Sequence, residues 1–332
     1  MNQSIINRLD LFTNNSETIR KEFKWHSAGV RRLAALIYAL EDRSIDNQSI
    51  SASLDVIKQN TRMFSMFRGN MNFVIATKLS LTESHEQLFA NILDVANQLT
   101  EAKFRKSDYL AVSAYLIVTE TTSENYDNTI TRAKAFYDGM KKESWFRTGQ
   151  DDYIFSIMLG LSDIDPTEGV ARIQELYQQL QPEFKRAGGN SVQALCQMLT
   201  LGGKSDEALE HLLCLRNTLQ SNKIKLDRTY TLPSLGALSL LPIDGEVLAN
   251  QLWEAQGHLR SQKGFGSLSI STQELLLFAS AIISVIHTEE MQKDVVALTS
   301  TSMINMIIAQ QVALLIAVFM TTSSAATATS SG

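Results

Sequence analysis

The most regular feature of the chain is a series of long, charged segments in which apolar residues recur every three or four positions. In segment 84–104, SHEQLFANILDVANQLTEAKF, the residues Leu88, Ile92, Val95 and Leu99 fall on one face of an α-helix. Further segments of this kind are NYDNTITRAKAFYDGMKKESWF, DPTEGVARIQELYQQLQPEF, SDEALEHLLCLRNTLQSNKI and DGEVLANQLWEAQGHLRSQKGF. Each predicts an amphipathic helix with one face in the core and the other in water.

Shorter, almost uncharged segments alternate with the amphipathic ones. They are LAALIYAL, FVIATKLSL, YLAVSAYLIV, YIFSIMLGLSD, VQALCQMLTLG, LPSLGALSLLP and LLLFASAIISV. A helix that is apolar nearly all round has to be buried between neighbours. Ala, Ser and Gly lie a turn from Leu or Ile in most of these segments, and such small side chains allow neighbouring helices to approach closely.

The two kinds of segment repeat with a period of about 40 residues, which is typical of paired-helix repeats. The apolar segments align on Tyr38, Leu79, Leu116, Leu159, Leu199, Leu238 and Ile282. The pattern predicts an all-α protein of about seven α/α hairpin repeats, which form an open superhelix or a closed toroid. Because one hairpin cannot bury its own apolar surface, we expect a single domain over residues 1–320 and a flexible tail over 321–332.

Polar residues that favour helix starts precede most apolar segments. They are Asn70 or Asn72, Ser107 and Asp108, Asp151 and Asp152, Asn190 and Ser191, Thr231, and Ser271 or Thr272. Such side chains accept hydrogen bonds from the free N–H groups of a first helical turn, and carboxylates there complement the helix dipole.

Composition narrows the class of protein. The net charge of -5 argues against a dedicated nucleic-acid binder, and 44% hydrophobic residues are ordinary for a globular protein. Two cysteines and a polar N-terminus indicate a reducing, cytoplasmic setting.

The N-terminal part of the chain is basic although the whole chain is acidic. Residues 1–70 carry 10 basic and 7 acidic residues. The basic excess surrounds Phe23 and Trp25 and includes Lys21, Lys24, Arg31 and Arg32. The pattern favours a solvated helix face, with a weak anion-binding face as the alternative.

The apolar segment 303–320, MINMIIAQQVALLIAVFM, is long enough to suggest a membrane span. Asn305, Gln310 and Gln311 interrupt it, and flanking basic residues and aromatic anchors are missing. The pattern therefore favours a buried C-terminal helix, with a membrane anchor as the alternative.

Three motifs that suggest chemistry are incomplete. Asp151 and Asp152 begin like the DDxxD motif that holds magnesium and diphosphate in helical prenyl-transfer enzymes, but Phe155 occupies the third acidic position. The glycines before Lys204 lack the spacing of a phosphate-binding loop. Cys196, His211 and Cys214 lack the paired spacing of a metal site. The sequence therefore predicts no cofactor and no metal.

Two loops combine aromatic, basic and glycine residues, SMFRGN at 65–70 and QKGFGSLS at 262–269. Arg68 and Asn70 in the first loop and Phe265 in the second are candidate binding residues, since an arginine clamps carboxylates or phosphates. Asp151 and Asp152 are candidate binding residues as well. The alternative is structural: glycine makes the turn, and Phe packs back on its hairpin.

Five segments together resemble an uncharacterised bacterial family, the domain of unknown function numbered 4003. They are WHSAGVRRLAALIYAL, MFSMFRGN, DDYIFSIMLGLSD, KGFGSLS and IIAQQVALLIA. The resemblance runs along nearly the whole chain, and Ser156 departs from it where alanine is expected. It implies no activity, but it implies that the C-terminal apolar helix is a regular part of a soluble protein.

Two functions fit these patterns. The first is a non-catalytic helical-repeat protein that binds a protein or peptide partner, because such arrays present extended surfaces. The alternative is an enzyme on an α/α toroid acting on a small molecule or glycan. Its candidate carboxylates are Asp108, Asp151 and Asp152, with Arg68 as anion clamp.

Overall fold

A computed structural model of the protein describes residues 2–69, 71–144, 146–203 and 206–294. These residues form fourteen α-helices, four short 3-10 turns and no β-strand, so the predicted all-α class is confirmed. The α-helices are α1 (Gln3–Glu22), α2 (Ala28–Leu40), α3 (Asn47–Asn60), α4 (Asn72–Leu79), α5 (His85–Glu101), α6 (Asp108–Glu120), α7 (Tyr126–Glu143), α8 (Tyr153–Leu161), α9 (Pro166–Leu180), α10 (Gly189–Leu201), α11 (Asp206–Ser221), α12 (Leu232–Ser239), α13 (Gly245–Ser261) and α14 (Thr272–Asp294).

The described residues divide into two compact units. The first unit combines residues 2–18 and 39–44 with the described part of 172–294, and the second contains the described part of 19–38 and 45–171. The expectation of one continuous domain over residues 1–320 stays a prediction, and the tail 321–332 lies outside the described residues.

Helices of the second unit pack as consecutive pairs. Helix α3 packs on α4, α5 on α6 and α7 on α8. The amphipathic helix α5 also contacts α3 and α7, while the apolar helix α6 contacts α8. Every residue from Tyr153 to Gly160 is buried, as expected for a helix that is apolar all round.

A glycine sets the spacing between α7 and α8. A Cβ on Gly160 would come within 2.8 Å of the backbone nitrogen of Ala133 and the backbone oxygen of Thr129. The end of α8 is held by Arg132, whose guanidinium donates to the carbonyl oxygens of Gly160, Ser162 and Ile164 at 3.0, 2.6 and 2.7 Å. The predicted role of a small residue in close helix packing is therefore confirmed at Gly160.

In the first unit, α12 packs between α10 and α14, and α11 contacts α12 and α13. The N-terminal segment packs on the last of these helices. The ring of Phe12 lies 5.2 Å from that of Phe265 and 5.1 Å from that of Phe278, measured between centroids. Arg8 is buried and pairs with Glu289 at 3.1 Å, so residues far apart in sequence share one core.

The predicted helix caps are confirmed in two cases. Ser107 accepts a hydrogen bond from the backbone nitrogen of Leu110, and Ser271 accepts one from that of Glu274.

The prediction of a helix cap is wrong for Thr231 and Asp152, which precede α12 and α8 without a side-chain bond to the first turn. It is also wrong for α10, whose start follows Gly188 at a φ of 88°, a conformation that favours glycine.

The predicted C-terminal helix over 303–320 lies outside the described residues. Within the described part of the chain, none of the helices combines the length and the apolarity that a membrane crossing requires.

Candidate functional site

The first candidate carboxylate, Asp108, begins α6 and is half-buried. Its Oδ1 lies so close to Gly69 that a Cβ there would come within 2.6 Å of it. Burial raises the pKa of Asp108 above the usual value for aspartate, because a charged carboxylate loses solvation there.

Asp151 and Asp152 belong to the 3-10 turn Gln150–Asp152, which leads directly into α8. The Oδ2 atom of Asp152 accepts a hydrogen bond of 2.9 Å from the backbone nitrogen of Gly149, so this carboxylate closes the turn instead of capping α8. Asp151 places its Oδ1 against the same glycine. Burial raises the pKa of Asp151, and a backbone hydrogen bond opposes this shift in part.

Tyr109 lies close enough to the three carboxylates for their charges to affect its phenol. Its pKa is raised to about 12, first by burial and then by the charges of Asp151, Asp108 and Asp152. All three acids therefore lie within electrostatic range of one phenol, although they come from two helix starts more than 40 residues apart. Sequence patterns did not indicate Tyr109, because nothing in its local spacing links it to residues 151 and 152.

This acidic cluster (Asp108, Tyr109, Asp151 and Asp152) does not have the arrangement of a metal centre. Among the described residues, no group of three or more His, Cys, Asp or Glu side chains is placed to hold a metal ion. Cys196 is buried, Cys214 is exposed, and the Nδ1 of His211 lies 2.6 Å from the carbonyl oxygen of Ser239. Cys196, His211 and Cys214 therefore do not come together as ligands of one metal ion.

Arg68 lies in the loop before α4 and holds the end of α3. Its Nε donates to the hydroxyl of Thr61 at 2.9 Å, and its Nη2 donates to the carbonyl oxygens of Thr61 and Lys58. These bonds occupy much of the guanidinium that was expected to clamp an anion. Asn70, the neighbouring candidate, lies outside the described residues.

Phe265 lies in the core of the first unit and is 1% exposed. Its ring packs edge-on against Phe12, and its carbonyl oxygen accepts a hydrogen bond from Arg260. Arg260 also donates to the carbonyl of Ile270, so this arginine fixes the loop between α13 and α14. The structural role of Phe265 is visible, whereas a role in binding stays a prediction.

A second group of exposed side chains lies on the four loops that lead into the apolar helices of the second unit. These entry loops are the described residues of 23–27, 61–71, 102–107 and 144–152, which leaves out residues 70 and 145. They carry seven basic residues, Lys24, Arg62, Arg68, Lys103, Arg105, Lys106 and Arg147, and two acidic ones, Asp151 and Asp152.

The opposite, return loops of this unit have the reverse charge. They comprise residues 80–84, 121–125 and 162–165, together with residues 45–46 of the loop 41–46; the remainder of that loop, which includes Arg43, belongs to the first unit. Their charged residues are all acidic, namely Asp46, Glu83, Glu124, Asp163 and Asp165. The second unit is therefore polarised along its helices.

Each of the first three entry loops contacts the start of the apolar helix that follows the next entry loop, and the fourth contacts α6. These contacts place all four loops at one end of the unit. His26 of the first loop stacks on Phe73 in α4, with 4.0 Å between ring centroids. Gly69 of the second loop lies against Asp108 at the start of α6. Phe104 of the third loop packs edge-on against Tyr153 at the start of α8, 4.9 Å away, and the turn Gln150–Asp152 of the fourth contacts α6.

Large apolar side chains project from three of these anchored loops. Trp25 is 99% exposed and Phe64 is 97% exposed, while Met63 and Phe146 are also mostly exposed. The guanidinium of Arg147 lies 4.9 Å from the ring of Phe146. The sequence pointed to charge around Trp25 but did not separate buried Phe67 and Phe104 from exposed Phe64 and Phe146.

The described chain is thus an all-α protein in which four exposed apolar side chains and several basic residues gather at one end of the second unit, while Val247, Trp253 and Leu268 are exposed on the first unit. A family model described as protein of unknown function, DUF4003, matches residues 15–313, and the chain belongs to this family. The resemblance expected from the sequence is therefore confirmed. Comparison with curated proteins gives no match, and neither does comparison with solved structures.

Proposed function

We propose that this protein is a non-catalytic helical-repeat protein of the cytoplasm that binds a partner through its entry loops. The single observation that carries the proposal is the full exposure of Trp25 and Phe64 on loops that are otherwise anchored. Large apolar side chains exposed together typically mark an interaction surface. The sequence predicts a protein or peptide as the partner.

The repeat architecture is part of the proposal. The pairs α3–α4, α5–α6 and α7–α8 are successive hairpins of the second unit, and α11–α12 and α13–α14 are successive hairpins of the first. Support comes from the period of about 40 residues and from the contacts between like helices of neighbouring pairs. In such an array the entry loops form a continuous row, so one partner contacts several of them.

Photo-crosslinking in cells tests this function. A photoreactive amino acid is placed at Trp25 or at Phe64, and in a matched control at exposed Ser123 in a return loop. We expect an adduct with a protein or with lipid from the two entry-loop positions and none from position 123. Adducts of equal yield from all three positions, or from none of them, contradict the proposal.

A second candidate function rests on the acidic cluster. Burial holds the pKa values of Asp108 and Asp151 above their usual range, and a carboxyl with a raised pKa suits a general acid in hydrolysis. The test is a panel of chromogenic glycoside and ester substrates. Turnover that disappears in Asp108→Asn and in Asp151→Asn supports an enzyme, whereas turnover unaffected by either change contradicts it.

A further inference from the structure

We infer that the entry loops of the second unit dock the protein onto an anionic lipid surface. This inference rests on the proposed binding function and names its partner. The surface consists of exposed Trp25, Met63, Phe64 and Phe146 together with the exposed basic residues of the entry loops, Lys24, Arg62, Lys103, Arg105 and Lys106.

The anchoring of the loops explains why their tips face outward. In the first loop, Phe23 packs 4.9 Å from Phe73 and His26 stacks on the same ring, so the intervening Lys24 and Trp25 project into solvent. In the second loop, buried Phe67 packs edge-on against Phe89 at 5.4 Å. The loop is thus fixed behind its exposed tip, residues 62–64.

Tryptophan and phenylalanine held in this way are suited to the boundary between lipid headgroups and acyl chains. An indole or phenyl ring is stabilised there because the apolar ring leaves water while its position stays close to the polar headgroups. Since the loops are already ordered, little conformational entropy is lost when the rings insert.

The distribution of charge fixes the orientation of the unit on such a surface. Lys24 is next to Trp25, Arg62 to Met63 and Arg147 to Phe146, so every apolar tip has a cationic neighbour. Cations beside a membrane are attracted by anionic lipids, whereas the five acidic residues of the return loops are repelled. The two acids of the entry loops do not cancel this attraction, because five exposed basic residues outnumber them.

The spacing of the tips favours a lipid surface over a protein or a nucleic acid. The apolar residues stand on separate loops, and a bilayer accepts each of them without a shaped pocket. A protein partner needs a contiguous, well-packed patch. A nucleic acid needs a continuous basic stripe along its backbone, whereas here exposed apolar tips stand between the basic residues.

Vesicle co-sedimentation of the full chain tests the inference. Two kinds of vesicle are used, phosphatidylcholine alone and phosphatidylcholine with about one third phosphatidylserine. We expect binding to the anionic vesicles only, and weaker binding as salt is raised. The double variant Trp25→Ser, Phe64→Ser should bind roughly tenfold more weakly, as should Arg62→Glu, Arg105→Glu.

The matched control is Trp253→Ser, which removes a tryptophan that is 66% exposed on α13 and belongs to the other unit. It should bind as the wild type does, and circular dichroism verifies that all variants are folded. Equal binding by wild type and by Trp25→Ser, Phe64→Ser overturns the inference, as does binding to neither vesicle. If vesicles fail while a protein or a nucleic acid is crosslinked at Trp25, the proposed binding function stands and the lipid partner is excluded.

Discussion

The carboxylate of Asp108, in the first turn of α6, lies directly against Gly69 in the loop before α4, where a Cβ would come within 2.6 Å of its Oδ1. Because this distance is shorter than van der Waals contact, Gly69→Ala has to displace the carboxylate. We expect a loss of about 1–2 kcal/mol in the free energy of unfolding, measured with urea.

The contact between these two residues is isolated by a double-mutant cycle. In an Asp108→Ala background the carboxylate oxygen is gone. Gly69→Ala should then cost little or no stability, although it is destabilising in the wild type. An equal cost in both backgrounds would show that the loop around Gly69 resists alanine for some other reason.

Gly160 and Gly257 offer a matched pair of glycines in helices. A Cβ on Gly160 meets backbone atoms of α7 at 2.8 Å, so Gly160→Ala forces α7 and α8 apart and should cost about 2–3 kcal/mol. A Cβ on Gly257 in α13 meets nothing within 4 Å, so Gly257→Ala should stabilise the protein by about 0.5–1 kcal/mol. Thermal or urea unfolding measures both, and effects of the same sign contradict the assigned close approach at Gly160.

Arg68 and Arg62 lie in the same loop but have different surroundings. Arg68→Gln removes charge-assisted hydrogen bonds to Thr61 and Lys58 and should cost about 1–2 kcal/mol, since the site is half-buried. Exposed Arg62→Gln should change stability by less than about 0.5 kcal/mol. Urea unfolding compares the two variants, and a neutral Arg68→Gln would mean that these bonds do not hold the loop.

The half-buried carboxyls Asp108 and Asp151 predict a dependence of stability on pH. A carboxyl whose pKa is raised in the folded state keeps its proton longer than in the unfolded chain, so its contribution to stability falls as pH rises. The fall begins near the ordinary value of 3.8 and is complete above the raised pKa of each residue.

The variants Asp108→Asn and Asp151→Asn remove this titration. The stability of each variant relative to wild type should therefore increase as pH rises from about 4 to 7, in urea unfolding at several pH values. A difference that is constant with pH would rule out the raised pKa values.

The two cysteines should differ in reactivity towards Ellman's reagent. Cys214 is exposed and should be labelled in the native protein, whereas buried Cys196 should react only after denaturant unfolds the chain. Rapid labelling of both thiols without denaturant contradicts the burial of α10, in which Cys196 lies.

The sequence by itself determined the helices and their division into amphipathic and apolar types. Leu99 is buried on the apolar face of an amphipathic helix, and Ser156 is buried in a helix that is apolar all round. Both types of burial can be predicted from the spacing of apolar residues within one segment. The caps Ser107 and Ser271 were predictable for the same reason, since a capping bond spans only three residues.

The tertiary structure alone decided which residues of different loops meet. Nothing local in the chain indicates that Tyr109 lies near Asp151, that Arg68 is directed to the end of α3, or that Phe67 is buried while Phe64 is exposed. These outcomes depend on how helices distant in sequence pack on one another, as in the close contact of Gly160 in α8 with Ala133 in α7. Packing between distant segments therefore fixes the surfaces, whereas periodicity along the chain fixes the helices.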